Sequence, residues 1–313
     1  MPGDTIKGPK DEAGNFLFPV ANNTSNEGYV FDGWYEANGN PVNSGDSITE
    51  SKEAFARFSN NTFLAPANQS ISNPRNITGA KYSVSQVKAA ATEIASKGSS
   101  SSYYWQYRSW MNADSYHLYT LLNGNSASSA DSWVEFRIVH VGQHDSDGSG
   151  LTFQAVHMLP TVYQMNSTNT SSGGWASSAL RAKMQSSGEI YNMFDTQLTN
   201  RVYNITRNSK GKFWLPSYSE LTGATHPRIE SDGSSQFAYW EGKVTKATDA
   251  NSCLVIAGTR SKRSLSSDRY FGWWLRSPDT AYPGNFDYVG MNGNPYYGTG
   301  YANLIGVVPC FAL

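Results

Sequence analysis

The chain has 313 residues, of which 16% are charged and 13% aromatic, and carries a formal net charge of −1 at pH 7. That length suffices for two domains, or for one large domain with an appendage. A basic surplus able to displace counterions from a phosphate backbone is lacking, which excludes a nucleic-acid partner. No apolar run reaches the roughly 18 residues of a membrane span, and the opening MPGDTIKGPK has no signal-peptide core.

Residues 1–59 read as a separate unit. The run GYVFDGWYEANGNPVNSGDSITESKEAFARF at 28–58 alternates apolar and polar residues and is broken by NGNP and NSGD, as in a small antiparallel sheet. Gly28, Tyr29, Phe31, Gly33, Trp34, Tyr35 and the later Phe58 resemble the pattern of the Listeria–Bacteroides repeat. That resemblance implies a β-grasp-like surface module that spaces a functional domain from its support and carries no chemistry.

Residues 60–80 are polar and Pro-interrupted and read as a linker or an extended lead-in, with the linker as the domain boundary. A helix follows, with Ser83 as N-cap, Val84, Val87 and Ile94 near one face, and Gly98 at its end. SSSS at 99–102 is a loop, and the aromatic-dense segment after it predicts a strand near 116–122. WVEFRIVHVG and LTFQAVHMLP read as strands of one hairpin across QHDSDGSG. GWASSALRAKMQSS predicts a helix with Trp175, Ala179 and Leu180 inward, and IYNMFDTQL a second helical stretch. KFWLPSYSELTG predicts a short strand and then a capped turn, in which Ser217 and Glu220 have capping-box spacing. SCLVIAG, FGWWLRSP, FDYVGM and LIGVVPCFAL are apolar, strand-like runs, and Cys253 and Cys310 within two of them are either a disulfide pair across one sheet or two buried thiols.

The motif Trp273, Trp274, Leu275, Arg276, Ser277, Pro278, followed by Gly306, Val307 and Pro309, resembles a family of bacterial domains ending WWLRSP…GVRP, with Val308 where the family carries Arg. This family lies in the formylglycine-generating-enzyme-like branch of the C-type-lectin-like fold. The resemblance implies an α+β protein in which a C-type-lectin-like ligand-binding domain over 81–313 follows the small β module and the linker.

That branch contains enzymes, yet their chemistry is not matched. Formylglycine-generating enzymes need two closely spaced cysteines near the C-terminus, and here Cys310 stands alone in that region. The related iron-dependent synthases need a histidine triad, and His117, His140, His144, His157 and His226 lack the spacing, although His140 and His157 would face each other across the hairpin. Asp145 and Asp147 have a D-x-D-G spacing, which an exposed turn explains better than calcium. No catalytic residue, metal or cofactor is therefore expected. Trp273 and Trp274 read as core, and Arg276 as a residue locking a loop through hydrogen bonds.

The segment from Tyr282 to Asn303 is different, because 14 of its 22 residues are Tyr, Asn or Gly and Asp287 is its only acid or base. Tyrosine offers a rigid amphipathic contact at low entropic cost, and Asn and Gly supply adaptable hydrogen bonds, as in an antibody loop. Candidate ligand-binding residues are Tyr282, Asn285, Asp287, Tyr288, Asn292, Asn294, Tyr296, Tyr297, Thr299, Tyr301 and Asn303. Nearly all belong to the set produced by adenine replacement in Asn codons, and the segment is similar to the variable proteins of diversity-generating retroelements, which use the same lectin-like fold. The expected function is display of this face, on a cell surface or a phage virion, to a protein or cell-surface ligand. A metal-independent carbohydrate adhesin is the first alternative, and a formylglycine-generating-type enzyme the disfavoured second.

Overall fold

Turn-punctuated alternation over 28–58 yields three antiparallel strands, β1 (Val30–Glu36), β2 (Pro41–Val42) and β3 (Ala54–Ser59), in the order β2-β1-β3. Phe31 stands opposite Phe58, and a bulge separates Phe31 from Gly33. The structure, a computed structural model, describes residues 30–36, 41–42, 54–59, 61–67, 74–125, 132–246, 254–256, 263–264, 267–270, 272–290, 295–300 and 303–313; at 30–59, 244–270 and 295–300 it describes backbone course alone. The chain divides into two compact units, Met1–Asn61 and Thr62–Leu313.

The second unit mixes helix and sheet. Its elements begin with β4 (Thr62–Pro66), β5 (Tyr82–Ser83), α1 (Val84–Lys97), α2 (Tyr104–Ala113), β6 (Tyr116–Leu121), β7 (Trp133–Val141) and β8 (Leu151–Ala155). Short elements follow: α3 (Ala179–Met184), α4 (Thr196–Thr199), β9 (Phe213–Trp214), α5 (Tyr218–Thr222), β10 (Val244–Lys246), β11 (Leu254–Ile256), β12 (Arg263–Ser264) and β13 (Ser267–Tyr270). The chain closes through β14 (Trp273–Pro278), β15 (Asn285–Val289), β16 (Pro295–Gly300) and β17 (Cys310–Ala312). Two sheets organise it: an antiparallel seven-stranded sheet, β5-β4-β6-β7-β8-β17-β9, and a three-stranded sheet, β14-β15-β16.

The expected linker over 60–80 is corrected by this topology. Thr62–Pro66 is an interior strand, paired with β5 on one side and along its whole length with β6 on the other. Phe63, Leu64 and Ile77 are buried, and Thr62, polar in sequence, is satisfied by Thr120 Oγ1 at 2.8 Å and by Gln197 Oε1. Helix α1 forms as its sequence predicts. Ser83 and Gln86 make a reciprocal capping box, Gly98 caps the far end, and Val84, Val87 and Ile94 are buried. The strand expected near 116–122 forms as β6, and helix α2 precedes it over 104–113, where no element is expected from the sequence. Tyr107 and Met111 bury one face of α2, and Trp110 stacks on Tyr116 at 4.2 Å.

The core between helices and sheet centres on phenylalanines. Phe153 stacks on Phe311 at 5.0 Å and Phe213 meets Phe311 edge-on at 5.7 Å, so the C-terminal strand is packed from both neighbours. In the helix after Gly174, Trp175 and Leu180 are buried as expected, but Ala179 is exposed. Cys310 is buried in the seven-stranded sheet, whereas Leu254–Ile256 pairs, among the described residues, with β10; Cys253 itself lies outside the described residues.

One buried ionic cluster sits at the β6–β7 pair. His117 Nδ1 is 2.6 Å from Glu135 and Nε2 2.8 Å from Asp114, which also meets Arg137 at 3.2 Å and accepts from Tyr239. Burial opposes the imidazolium, but hydrogen bonds to Asp114 and Glu135 outweigh it and raise the His117 pKa above its ordinary 6.5. The stability this group contributes is therefore complete below about pH 6.5 and lost as pH rises through the raised value. A thermal-midpoint series from pH 6 to 9 is expected to fall for the native protein and to be flatter for His117→Gln. Parallel slopes would show that His117 is not the linked group.

Candidate functional site

All six residues of Trp273–Pro278 are buried, so WWLRSP is frame on both of its faces. The Trp274 indole donates to the Tyr163 carbonyl at 2.7 Å. Arg276, 2% exposed, donates through Nη1 to the Leu215 carbonyl at 2.8 Å and to Glu220 Oε2 at 2.5 Å, and through Nη2 to Asp232 and to Ser234 Oγ. It thus locks the 215–220 and 232–234 segments together.

Glu220 is the hub of this cluster. Its side chain completes the capping box with Ser217 at the start of α5, and its Oε1 lies 2.8 Å from the fully buried Lys210 ammonium. Burial works against its charge, yet Arg276 and Lys210 prevail and hold the carboxyl well below the carboxylate range. Lys210 also lies 3.3 Å from His144 Nδ1, while His144 Nε2 donates to the Ser235 carbonyl at 3.0 Å. Burial, reinforced by Lys210 against the opposing pull of Glu220, lowers the His144 pKa, consistent with a neutral ring. His140 packs edge-on against His144 at 4.9 Å and is lowered to about 3 by burial and by that neighbour. It lies opposite Thr152 and not His157, which sits 4.0 Å from Glu135. Asp145 and Asp147 serve as turn residues, Asp145 accepting from the Ser235 N–H and Asp147 from the Ser149 N–H and hydroxyl. Among the described residues, no group of three or more His, Cys, Asp or Glu is placed to hold a metal ion.

Beside this cluster opens a polar cleft of about 550 Å³, lined by 171–176, Asn208, Glu230, Asp232 and 276–278. Sequence reasoning missed it because its walls come from four separate chain segments. The nearest signal was Arg276 itself.

The Tyr282 turn forms the cleft's neighbour. Asp279 Oδ1 accepts from the N–H groups of Ala281 and Tyr282, and the Asp279 N–H donates to the Asn285 carbonyl at 3.0 Å. Arg228 bonds Asp279 Oδ2 at 3.2 Å and lies 4.9 Å over the Tyr282 ring. Gly284, at φ 100°, donates to Ser171 Oγ at 3.1 Å, and a Cβ there would meet Asn169 Oδ1 at 1.9 Å. The positive φ favours glycine here, and a side chain would in addition have to displace the Asn169 amide. The turn is pinned, yet Tyr282 remains 56% exposed.

The remaining candidates divide. Asn303 is exposed, and Asn285 and Tyr288 are half-buried. Tyr288 packs against the core, and a Cβ on Gly272 would lie 2.8 Å from its ring, so Tyr288 belongs partly to the frame. Asp287 is fully buried and does not contribute to an exposed face, because the bulge between Phe286 and Tyr288 breaks the outward alternation at that residue. Tyr296 is the register partner of Tyr288, and Thr299 of Phe286, in the β15–β16 hairpin that also holds Tyr297. Asn292, Asn294 and Tyr301 lie outside the described residues.

No curated protein and no solved structure matches the chain. The model of a domain of unknown function (DUF6273) matches residues 155–313, a region that contains the cleft, the Tyr282 turn and the β14–β16 sheet. Because that match spans just over half of the 313 residues, the protein belongs to the DUF6273 family of domains of unknown function.

Proposed function

We propose that the protein is a surface-displayed binding protein, extracellular or carried on a virion, that engages a protein or cell-surface ligand without catalysis or metal. In this reading Thr62–Leu313 is a C-type-lectin-like domain of the formylglycine-generating-enzyme-like branch, and the first unit is a Listeria–Bacteroides-type spacer. The 282–303 segment is its contact surface and a candidate for retroelement diversification. The observation that carries the reading is Tyr282, 56% exposed on a turn whose backbone is held by Asp279 and Ser171. An aromatic that is both exposed and immobilised loses little entropy on binding, which suits a contact residue.

Protein-coated beads scored for adhesion to intact cells test the proposal. Wild-type beads are expected to adhere equally with and without EDTA. Tyr282→Ala is expected to weaken adhesion by on the order of 2 kcal/mol, about thirtyfold, at an unchanged melting temperature. Adhesion abolished by EDTA, or unaffected when Tyr282, Tyr296 and Tyr297 are all replaced by Ser, would overturn it. Competition by free monosaccharide would move the assignment to the carbohydrate adhesin.

A further inference from the structure

Trp105 is 65% exposed, the most exposed large apolar residue among those described, on a helix whose opposite face is buried through Tyr107 and Met111. Leaving that much aromatic surface in water forgoes the stabilisation its burial would bring. Beside it lies an open recess of about 520 Å³, whose described lining is Trp105, Arg108, Ser109, Asn112 and Ala113. The first four are spaced i, i+3, i+4 and i+7, so they form one stripe along the outer face of α2.

One residue steadies the stripe. Tyr104 packs against the core, its ring meets Trp105 edge-on at 5.1 Å, and its hydroxyl accepts from Arg108 Nη1 at 3.3 Å. The indole and the guanidinium are thus both oriented in the free protein, which lowers the entropic cost of binding.

The lining restricts what fills the recess. A protein partner or a second copy of the chain would set several large apolar side chains together at the contact centre. Here Ala113 is the only apolar residue besides Trp105, and the rest are hydrogen-bonding groups. A pyranose ring has the matching make-up. Its C–H face carries the slight positive polarity that the negative face of an indole attracts, and its rim presents hydroxyls to a neighbouring amide, hydroxyl and guanidinium. Arg108 is the only charged residue of the lining, and the adjoining acid, Asp114, is already engaged by His117 and Arg137. A guanidinium in that position favours a sugar that carries a carboxylate.

We infer that the outer face of α2 is a subsite for an acidic sugar residue of the uronic acid class. Trp105 stacks on the ring, Ser109 and Asn112 bond its hydroxyls, and Arg108 pairs with its carboxylate. The inference goes beyond the proposed binding face, and no part of it uses the Tyr282 turn.

The test is an NMR titration of the ¹⁵N-labelled full chain, following the Trp105 indole cross-peak, assigned through Trp105→Phe, and the Ser109 backbone amide. The probes are methyl glucuronide, methyl glucoside and acetyl-Ala-Glu-Ala-amide, which offers a carboxylate without a ring. The glucuronide is expected to shift both peaks saturably, the glucoside to bind about tenfold more weakly for want of a charged hydrogen bond, and the peptide to shift neither. Arg108→Gln is expected to bring the glucuronide to the affinity of the glucoside while both still bind. Trp105→Ala, an exposed change that leaves the melting temperature in place, is expected to abolish the Ser109 shift with either sugar. No shift from either sugar, equal affinity for the two, or a peptide shift equal to that of the glucuronide would overturn the proposal. So would shifts at these peaks that follow protein concentration without any sugar, which would make the face a contact between copies of the chain. Tyr282→Ala is expected to leave the sugar shifts intact, so failure of this subsite and failure of the adhesion reading give different results.

Discussion

Glu220→Ala is expected to lower the stability of the second unit by roughly 3–5 kcal/mol, the usual consequence of removing one partner from a buried ionic group. Glu220 is completely buried and its two oxygens serve different cations, Arg276 through Oε2 and Lys210 through Oε1. Without the carboxylate, both cations stay buried with less than their charge balanced. The capping box at α5 is lost as well, worth about another 1 kcal/mol. Against a typical total of 5–15 kcal/mol, the variant is close to unfolding, which urea denaturation would show directly. The pH dependence supplies the sign. The folded carboxyl lies well below its ordinary value of 4.5, so its contribution is present above about pH 4.5 and lost as pH falls toward the folded value. Glu220→Ala should therefore flatten the acid limb of the stability curve. A loss below about 1 kcal/mol would mean that the cluster relaxes around the missing group and is not the keystone of β14 and α5.

A chain beginning at residue 81 is expected not to fold, whereas one beginning at Thr62 should unfold cooperatively. The difference is β4, whose backbone pairs with β6 from Thr62↔Thr120 through Pro66↔Tyr116. Its removal takes away the buried side chains of Phe63 and Leu64, each worth about 1.5–3 kcal/mol, and leaves the buried Thr120 hydroxyl without the Thr62 partner. Those losses are on the order of 5 kcal/mol, as large as the whole stability of many domains. Differential scanning calorimetry of the two fragments decides the matter, and equal transitions would show that β4 is dispensable.

The local elements of this protein were written in its sequence. Helix α1 could be read from Ser83, Gln86 and the Val84, Val87, Ile94 spacing, because capping and helical periodicity involve residues only three or four apart. The β7–β8 hairpin and the Ser217–Glu220 box were legible for the same reason. The role of Arg276 as a lock was legible too, since a lone Arg in an apolar strand must be satisfied by something. What it binds was not. Glu220 is 56 positions away from Arg276 and Asp232 44, and nothing local in either segment announces the meeting. Tertiary structure likewise decided that Thr62–Pro66 is an interior strand, because its polar Thr is satisfied by Thr120, 58 positions distant. It decided that Asp287 turns inward at a bulge, and that Trp175, Glu230 and Arg276 share one cleft. Periodicity and caps are short-range and survive in one dimension. Pairing of buried charges and closure of a cleft depend on which segments the core brings together, and that is determined only when the whole chain packs.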